Sequence, residues 1–432
     1  MSNYAGNTIK QKRTIRRSSF LDICTLVLLF VLMLVSVYPK ITATGSTTTV
    51  SLIVEVLLVG IAILQNIQVF TKLIINNAMG IFFMVYTFFM PYFYGNSVIS
   101  HRYSAMFMLV IGVILFRFYS TTNRLFIVRR AVMLSLPFLA VTFARTFRVA
   151  MTSPNVIRSI KYNTDTAALL EDGIGGYEFI YMISLIAAFL FICFLKEKKI
   201  FKKFLYLAGT VLIFALLILA NYMTAFLLVV ISAFLAIIIN GCENIKKQKS
   251  VKSIVSMTVI IFLLLVVIVN QESLVNFLAY ITHDNGRLQE VLSTDENVFT
   301  AVKDEFIADR LYTLEASWNA FLEHPIMGLI SVHFVIESAI LTGFGQHSYV
   351  LDTFALYGGL IGLIGTIQLF KPYRCYAVYK NDATFRYVIC IHFVLLALLN
   401  NLNFSTIFMS TVVLPCMVDY FKEKKEKNVA YG

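Results

Sequence analysis

Charge is scarce in this sequence. Asp, Glu, Lys and Arg make up 14% of its 432 residues, while 59% are hydrophobic. A water-soluble domain cannot hide that much apolar surface, which excludes the soluble globular classes. Cysteine is sparse too: Cys24, Cys193, Cys242, Cys375, Cys390 and Cys416 show no metal-ligand spacing and no placement for an external disulfide. No Gly-rich phosphate-binding loop and no Asp-x-Asp pattern occurs, and the basic segments between apolar runs are too short for a nucleotide-binding domain. Tryptophan occurs once, at Trp318. No ligand cluster calls for a metal or any other cofactor.

What is present is a series of apolar runs of about 20 residues, the length that crosses a hydrocarbon core of about 30 Å as a helix. Barrel strands would place a polar residue at every second position, so helices are expected. The runs predict an all-α polytopic membrane protein with about twelve spans, at 20–38, 50–70, 74–94, 104–119, 126–144, 176–195, 203–220, 223–240, 251–270, 349–370, 384–400 and 403–420. The stretch 203–240 is too long for one span and fits two, with a reversal near Asn221. The whole chain, 1–432, reads as a single transmembrane domain. The basic residues Lys10, Lys12, Arg13, Arg16 and Arg17 before the first run resemble a signal peptide, but the run is long and no Ala-x-Ala site follows, so it reads as a membrane helix.

Net charge is +12. Nucleic acid is not the implied partner, because the cations sit in short loops between spans. With the N-terminus inside, 27 Lys and Arg fall on the cytoplasmic side and 9 outside, which follows the positive-inside rule. Both termini are then cytoplasmic, in the inner or sole cytoplasmic membrane. Two outer loops are long: one from about Thr146 to Tyr177, the other over 271–347, between the ninth and tenth spans. Long loops on a rigid scaffold carry function, so chemistry is expected on the outer face.

Five of the six histidines, His101, His283, His324, His333 and His347, map there. Nucleotide sugars and ATP are absent outside the cell, so a donor must come pre-activated, for instance as a glycan on a lipid pyrophosphate. That chemistry needs cations for the leaving pyrophosphate and a base for the attacking hydroxyl. Arg145 and Arg148 share a helix face at i, i+3 spacing, and Arg158 and Lys161 repeat it. The plain alternative is interfacial or solvated charge. His347 precedes a span, near the N-cap, where a lone histidine is more often a cap or an interfacial residue than a base, although a helix N-terminus also keeps an imidazole neutral and able to accept a proton. Residues 309–328 form an amphipathic helix at the outer surface, with Leu311, Leu314, Trp318, Phe321 and Leu322 at helical spacing and Pro325 at its end.

The order of these features resembles the O-antigen polymerase and ligase superfamily of multispanning glycan transferases. The matching residues are Arg310, Trp318, His324-Pro325-Ile326-Met327-Gly328, Gly343–Gly345, His347-Ser348-Tyr349-Val350-Leu351 and Gly359-Leu360-Ile361-Gly362. The resemblance implies that Arg310 holds an undecaprenyl pyrophosphate glycan and that His347 is the base, with Arg145, Arg148 or Arg158 as a second cation. It also implies lipid-linked oligosaccharide donor and acceptor, surrounding membrane lipids, and a flippase and a chain-length regulator as partners, with no metal. Where the family opens its eighth span with Ser-Arg, this chain has Asn221-Tyr222-Met223-Thr224-Ala225, which lacks that cation. A polymerase for a capsule, exopolysaccharide or O-antigen is favoured. A ligase passing finished glycan to a terminal acceptor, a lipid-linked oligosaccharide flippase and a non-catalytic scaffold stay open. Polar residues inside spans, Glu55, Asp352 and His392, are expected to face the bundle interior. Glu178, at the top of the sixth span, is a candidate acid-base partner.

Overall fold

A computed structural model describes residues 20–41, 47–94, 103–153, 156–157, 166–220, 222–248, 308–332, 336–337, 340–341, 344–380 and 382–430. The described helices are α1 (Phe20–Val37), α2 (Thr47–Gln65), α3 (Ile67–Ile75), α4 (Ala78–Phe93), α5 (Tyr103–Thr121), α6 (Leu125–Thr152), α7 (Thr166–Glu171), α8 (Tyr177–Lys196), α9 (Ile200–Leu219), α10 (Met223–Gln248), α11 (Ala308–Glu323), α12 (Tyr349–Cys375), α13 (Ala377–Lys380) and α14 (Ala383–Leu399). The final helix, α15, runs over Phe404–Phe408, passes a π-helical turn at Met409–Val413 and continues over Leu414–Ala430. Between α11 and α12 an antiparallel ladder pairs Ile336 with Leu341 and Glu337 with Ile340.

Several starts are set by one side chain. Asn66, Ser348, Asp382 and Asn403 each accept the backbone N–H three residues on, satisfying an orphan donor of the first turn.

Eight described helices are long and apolar enough to cross a membrane, or nine if the pair α3 and α4, bent by 80°, counts as one broken span. The chain is thus a multi-pass membrane protein. Two shorter apolar helices, Thr49–Gln65 and Ala383–Leu399, occupy further expected positions. The expected span 251–270 and the loop over 271–307 lie outside the described residues. The expected span 50–70 needs correcting: α2 ends at Gln65, and the Asn66 cap starts a separate α3, itself bent sharply against α4. The apolar run continues across that break, so hydropathy alone merges the two. The stretch 203–240 is two helices, α9 and α10.

Ion pairs gather helix termini at one end of the bundle. Arg124 Nε, between α5 and α6, meets Asp22 Oδ1 at 3.0 Å, and Gln65 Nε2 donates to the same oxygen at 3.2 Å. Lys196 Nζ bridges Glu243 Oε2 and Asp382 Oδ1, each at 2.9 Å. Arg129 joins Asp419 at 2.5 Å and Glu423 at 2.6 Å. These contacts place the starts of α1, α6 and α14 beside the ends of α2, α8, α10 and α15, as an up-and-down threading requires. The lysines at 196, 198, 199, 202 and 203 sit at this basic end. The far end holds Lys40, Arg145, Arg148 and Arg310 among the described residues.

Near the basic end an aromatic cluster fills the interior. Tyr376 stacks on Tyr379 and lies 4.2 Å from Phe116 between ring centroids. The π turn leaves carbonyls out of register with the helix, and Tyr376 OH donates to one of them, Thr411 O, at 2.8 Å.

Candidate functional site

At the far end, the turn leading into α12 carries His347, half-buried, directly before the Ser348 cap. This turn is held from two sides. Asn401 Nδ2 donates to the Gln346 carbonyl, and Tyr349 N–H donates to Asn400 O at 3.1 Å. Gln346 itself takes a left-handed backbone conformation, φ 56°. Asn400 closes α14, and its Oδ1 accepts from both Tyr177 OH and Tyr181 OH at 3.1 Å. The His347 turn is therefore tied through Asn400 and Asn401 to the first two turns of α8.

Glu178 is on that first turn and is solvent-exposed. The Ser405 hydroxyl lies 3.5 Å from its Oε2. The segment before α8 is fixed to α6. Arg145 Nη1 donates to Asp172 O at 2.6 Å, and Gly175 N–H donates to Thr146 Oγ1 at 2.7 Å. Because α6 continues to Thr152, Arg145 and Arg148 do occupy adjacent turns of one helix, and both are exposed. Arg310 falls in the first turn of α11, while its side chain, like all of Arg158, lies outside the described residues. The structure thus puts His347, Glu178, Arg145 and Arg148 at the same end of the bundle, with His347 and Glu178 on connected turns.

The Asn400–Asn403 connection is a part of this end that sequence reasoning missed. Asn403 Oδ1 caps α15, whereas its Nδ2, Asn401 Oδ1 and Thr406 Oγ1 are buried with no hydrogen-bond partner among the described residues. Asparagine and threonine thus crowd the buried side of this short connection. A signal was present: three asparagines in four residues are unusually polar for a tight turn between two apolar runs.

The expected amphipathic helix is α11, and it packs along the start of α12. Ser317 Oγ accepts from Gly345 N–H at 2.9 Å and donates to Asp352 Oδ1 at 2.7 Å, which ties α11 to the first turn of α12. Phe321 meets Phe354 edge-on at 5.4 Å. Gly359 N–H then donates to Pro325 O at 2.7 Å. That bond fills a gap made by Gly358, whose φ 77° and ψ 179° interrupt α12. Gly328 and Gly358 are reciprocal: a Cβ on the first would strike the Leu356 carbonyl, and a Cβ on the second the Ile326 carbonyl. The motif segments around His324 and Gly359, thirty-odd residues apart, thus meet backbone to backbone. Asp352 is the anchor for α11 in this arrangement.

His392 sits between two serines deep in the bundle. Ser184 Oγ lies 3.1 Å from Nε2, and Ser232 Oγ lies 2.8 Å from Nδ1. Ser184 already donates to Tyr181 O at 2.7 Å, so it accepts from Nε2–H, and Ser232 donates to Nδ1. Both ring nitrogens of a neutral imidazole are then satisfied, which makes His392 a cross-link among α8, α10 and α14. Glu55 is fully buried on α2, and Ser104 is the polar side chain beside its carboxylate among the described residues.

Chemically, the far end offers an imidazole, a carboxylate and two guanidiniums. That set can move a proton and hold an anion. No protein-family model matches the chain, and no curated protein matches it either.

Proposed function

We propose that this protein is a polysaccharide polymerase. It joins undecaprenyl-pyrophosphate-linked repeat units on the extracytoplasmic face of the cytoplasmic membrane, by metal-independent glycosyl transfer. The observation that carries the reading is the meeting of two distant motif segments. His324–Gly328 locks against Gly358 and Gly359, and the His347 turn ahead of them is tied to the helix bearing Glu178. The charge asymmetry supports assigning the basic end to the cytoplasm and the far end to the outside.

In this reading His347 takes the proton from the attacking sugar hydroxyl as the bond to the donor's anomeric carbon forms. The carbon–oxygen bond to the lipid pyrophosphate breaks, and Arg310 with Arg145, Arg148 or Arg158 takes up the charge of the leaving group. Glu178 is the acid-base partner. The lipid tails of donor and acceptor stay in the bilayer, and a flippase and a chain-length regulator are the implied partners.

The test is surface polysaccharide length in cells lacking the gene, complemented with wild type, His347→Ala or Arg310→Ala at matched membrane levels. Wild type restores long chains, and both variants leave single repeat units. Long chains that persist in the null strain but never reach their acceptor make the protein a ligase. Repeat units trapped on the cytoplasmic side make it a flippase. Normal polymer from both variants removes the assigned roles.

A further inference from the structure

α11 and the first half of α12 descend into the bundle side by side. Thr313 touches Gly345, Ser317 bonds Asp352, Phe321 meets Phe354, and Pro325 bonds Gly359. The order of these contacts fixes the direction: each step along α11 moves further from the far end. The chain turns at Pro325–Gly328, where Met327 Sδ lies 3.9 Å from Tyr86 OH of α4, and is back beside Thr313 by Gly345. It goes in and comes out on the same side.

Depth follows from α12. Twenty residues of helix span about 30 Å, so counting back from Lys371 at the basic end puts the far boundary of the apolar layer near Leu351. Gly358 then lies about 10 Å inside that boundary. The tip at Ile326 lies at the same depth, and Trp318, next to the Ser317–Asp352 bond, lies near the boundary itself.

The exposed surface of α11 is divided. Trp318, Leu322 and Ile326 form one strip, with Ile326 80% exposed. Glu315, Asn319 and Glu323 form a second, polar strip beside it. The tip of the apolar strip packs backbone to backbone on Gly358 and Gly359, and Leu360, Leu363 and Ile367, exposed residues on the lower half of a membrane-crossing helix, follow directly. A surface continuous with the lipid-facing side of a span has lipid as its neighbour.

We infer that α11 and its turn at Pro325–Gly328 are a re-entrant segment inserted into the far-end leaflet, the chain being back on the same side by Gly345, with Trp318, Leu322 and Ile326 against lipid acyl chains. Glu315, Asn319 and Glu323 face the water-filled side. The segment dips into the membrane without crossing it, and the membrane insertion does not depend on the catalytic reading.

The single tryptophan makes the depth measurable. Wild type, Trp318→Phe/Leu322→Trp and Trp318→Phe/Ile326→Trp each carry one tryptophan, with Trp318→Phe as background. Positions 322 and 326 are exposed enough to accept the ring without repacking. Each protein is reconstituted into phosphatidylcholine vesicles brominated at carbons 6,7 or 11,12, and its elution and melting are compared with wild type. Lipid quenching is expected to rise from 318 to 322 to 326, while quenching by aqueous iodide falls at least severalfold along the same series. Equal access to iodide at all three positions, or a flat or reversed lipid gradient in folded protein, overturns the inference.

Discussion

Replacing Gly328 by alanine tests the backbone lock directly. Gly328 has φ 72° and ψ −178°, a region that only glycine occupies without strain, and a side chain there costs about 1–3 kcal/mol. The added Cβ would also strike the Leu356 carbonyl and lie 2.5 Å from Tyr357 N, so the obstacle is main chain rather than a mobile side-chain tip. Relieving that clash costs about 1–3 kcal/mol as overpacking. Displacing the turn also weakens the Gly359–Pro325 hydrogen bond, worth about 1 kcal/mol. Together these come to about 3–7 kcal/mol. Gly60, in the interior of α2, is the control: nothing lies within 4 Å of its Cβ position, so alanine there gains about 0.5–1 kcal/mol of helix propensity. Cys193 and Cys416 are buried free thiols, so a maleimide dye that fluoresces on reaction reports unfolding in detergent. Gly328→Ala should melt on the order of 5 °C or more below wild type, and Gly60→Ala at or slightly above it. A Gly328→Ala protein that melts within a degree of wild type would refute the lock.

Other substitutions read on the same assay. Lys196→Met leaves Glu243 and Asp382 facing each other, mostly buried, and should lose about 3 kcal/mol or more; adding Glu243→Gln should recover part of it. His392→Phe strands the Ser232 hydroxyl, while Ser184 keeps its bond to Tyr181 O, and should cost about 1–3 kcal/mol, most of it recovered when Ser232 also becomes alanine. Glu55→Leu removes a fully buried carboxyl whose polar neighbour among the described residues is Ser104 alone, so it should raise the melting temperature; a fall would mean that the Ser104 contact outweighs the cost of burial.

Much of the architecture is legible in local sequence, because the forces that set it are local. Apolar runs, the split of 203–240 and the caps Ser348 and Asp382 each depend on a few neighbouring residues. Features that depend on distant partners are not legible. The break at Gly358 exists because Pro325 supplies the acceptor for Gly359, and no periodicity within α12 announces it. The amphipathic pattern of α11 is plain, yet its depth is set by Gly345 and Asp352. Glu178, Arg145 and Arg148 are identifiable as polar residues at span ends. Asn400, Asn401 and Asn403 escape such a reading because amides carry no charge for a topology rule to weigh. Asn66 shows the opposite case: its capping signal is present, but the apolar run across it hides the break.

Three polar clamps at three depths join α8, α10 and α14. Lys196, Glu243 and Asp382 hold them at one end, Ser184, His392 and Ser232 in the middle, and Tyr181 with Asn400 at the other, where the Tyr222 ring ahead of α10 packs on Tyr181 at 5.9 Å. Helices joined at a single level can pivot, and at two levels can still shear or twist. Joined at three levels, these move as one stave. Glu178 and Asn400 ride on that stave, so any breathing of the far-end space comes from the elements facing it, while the stave serves as the fixed frame against which they move.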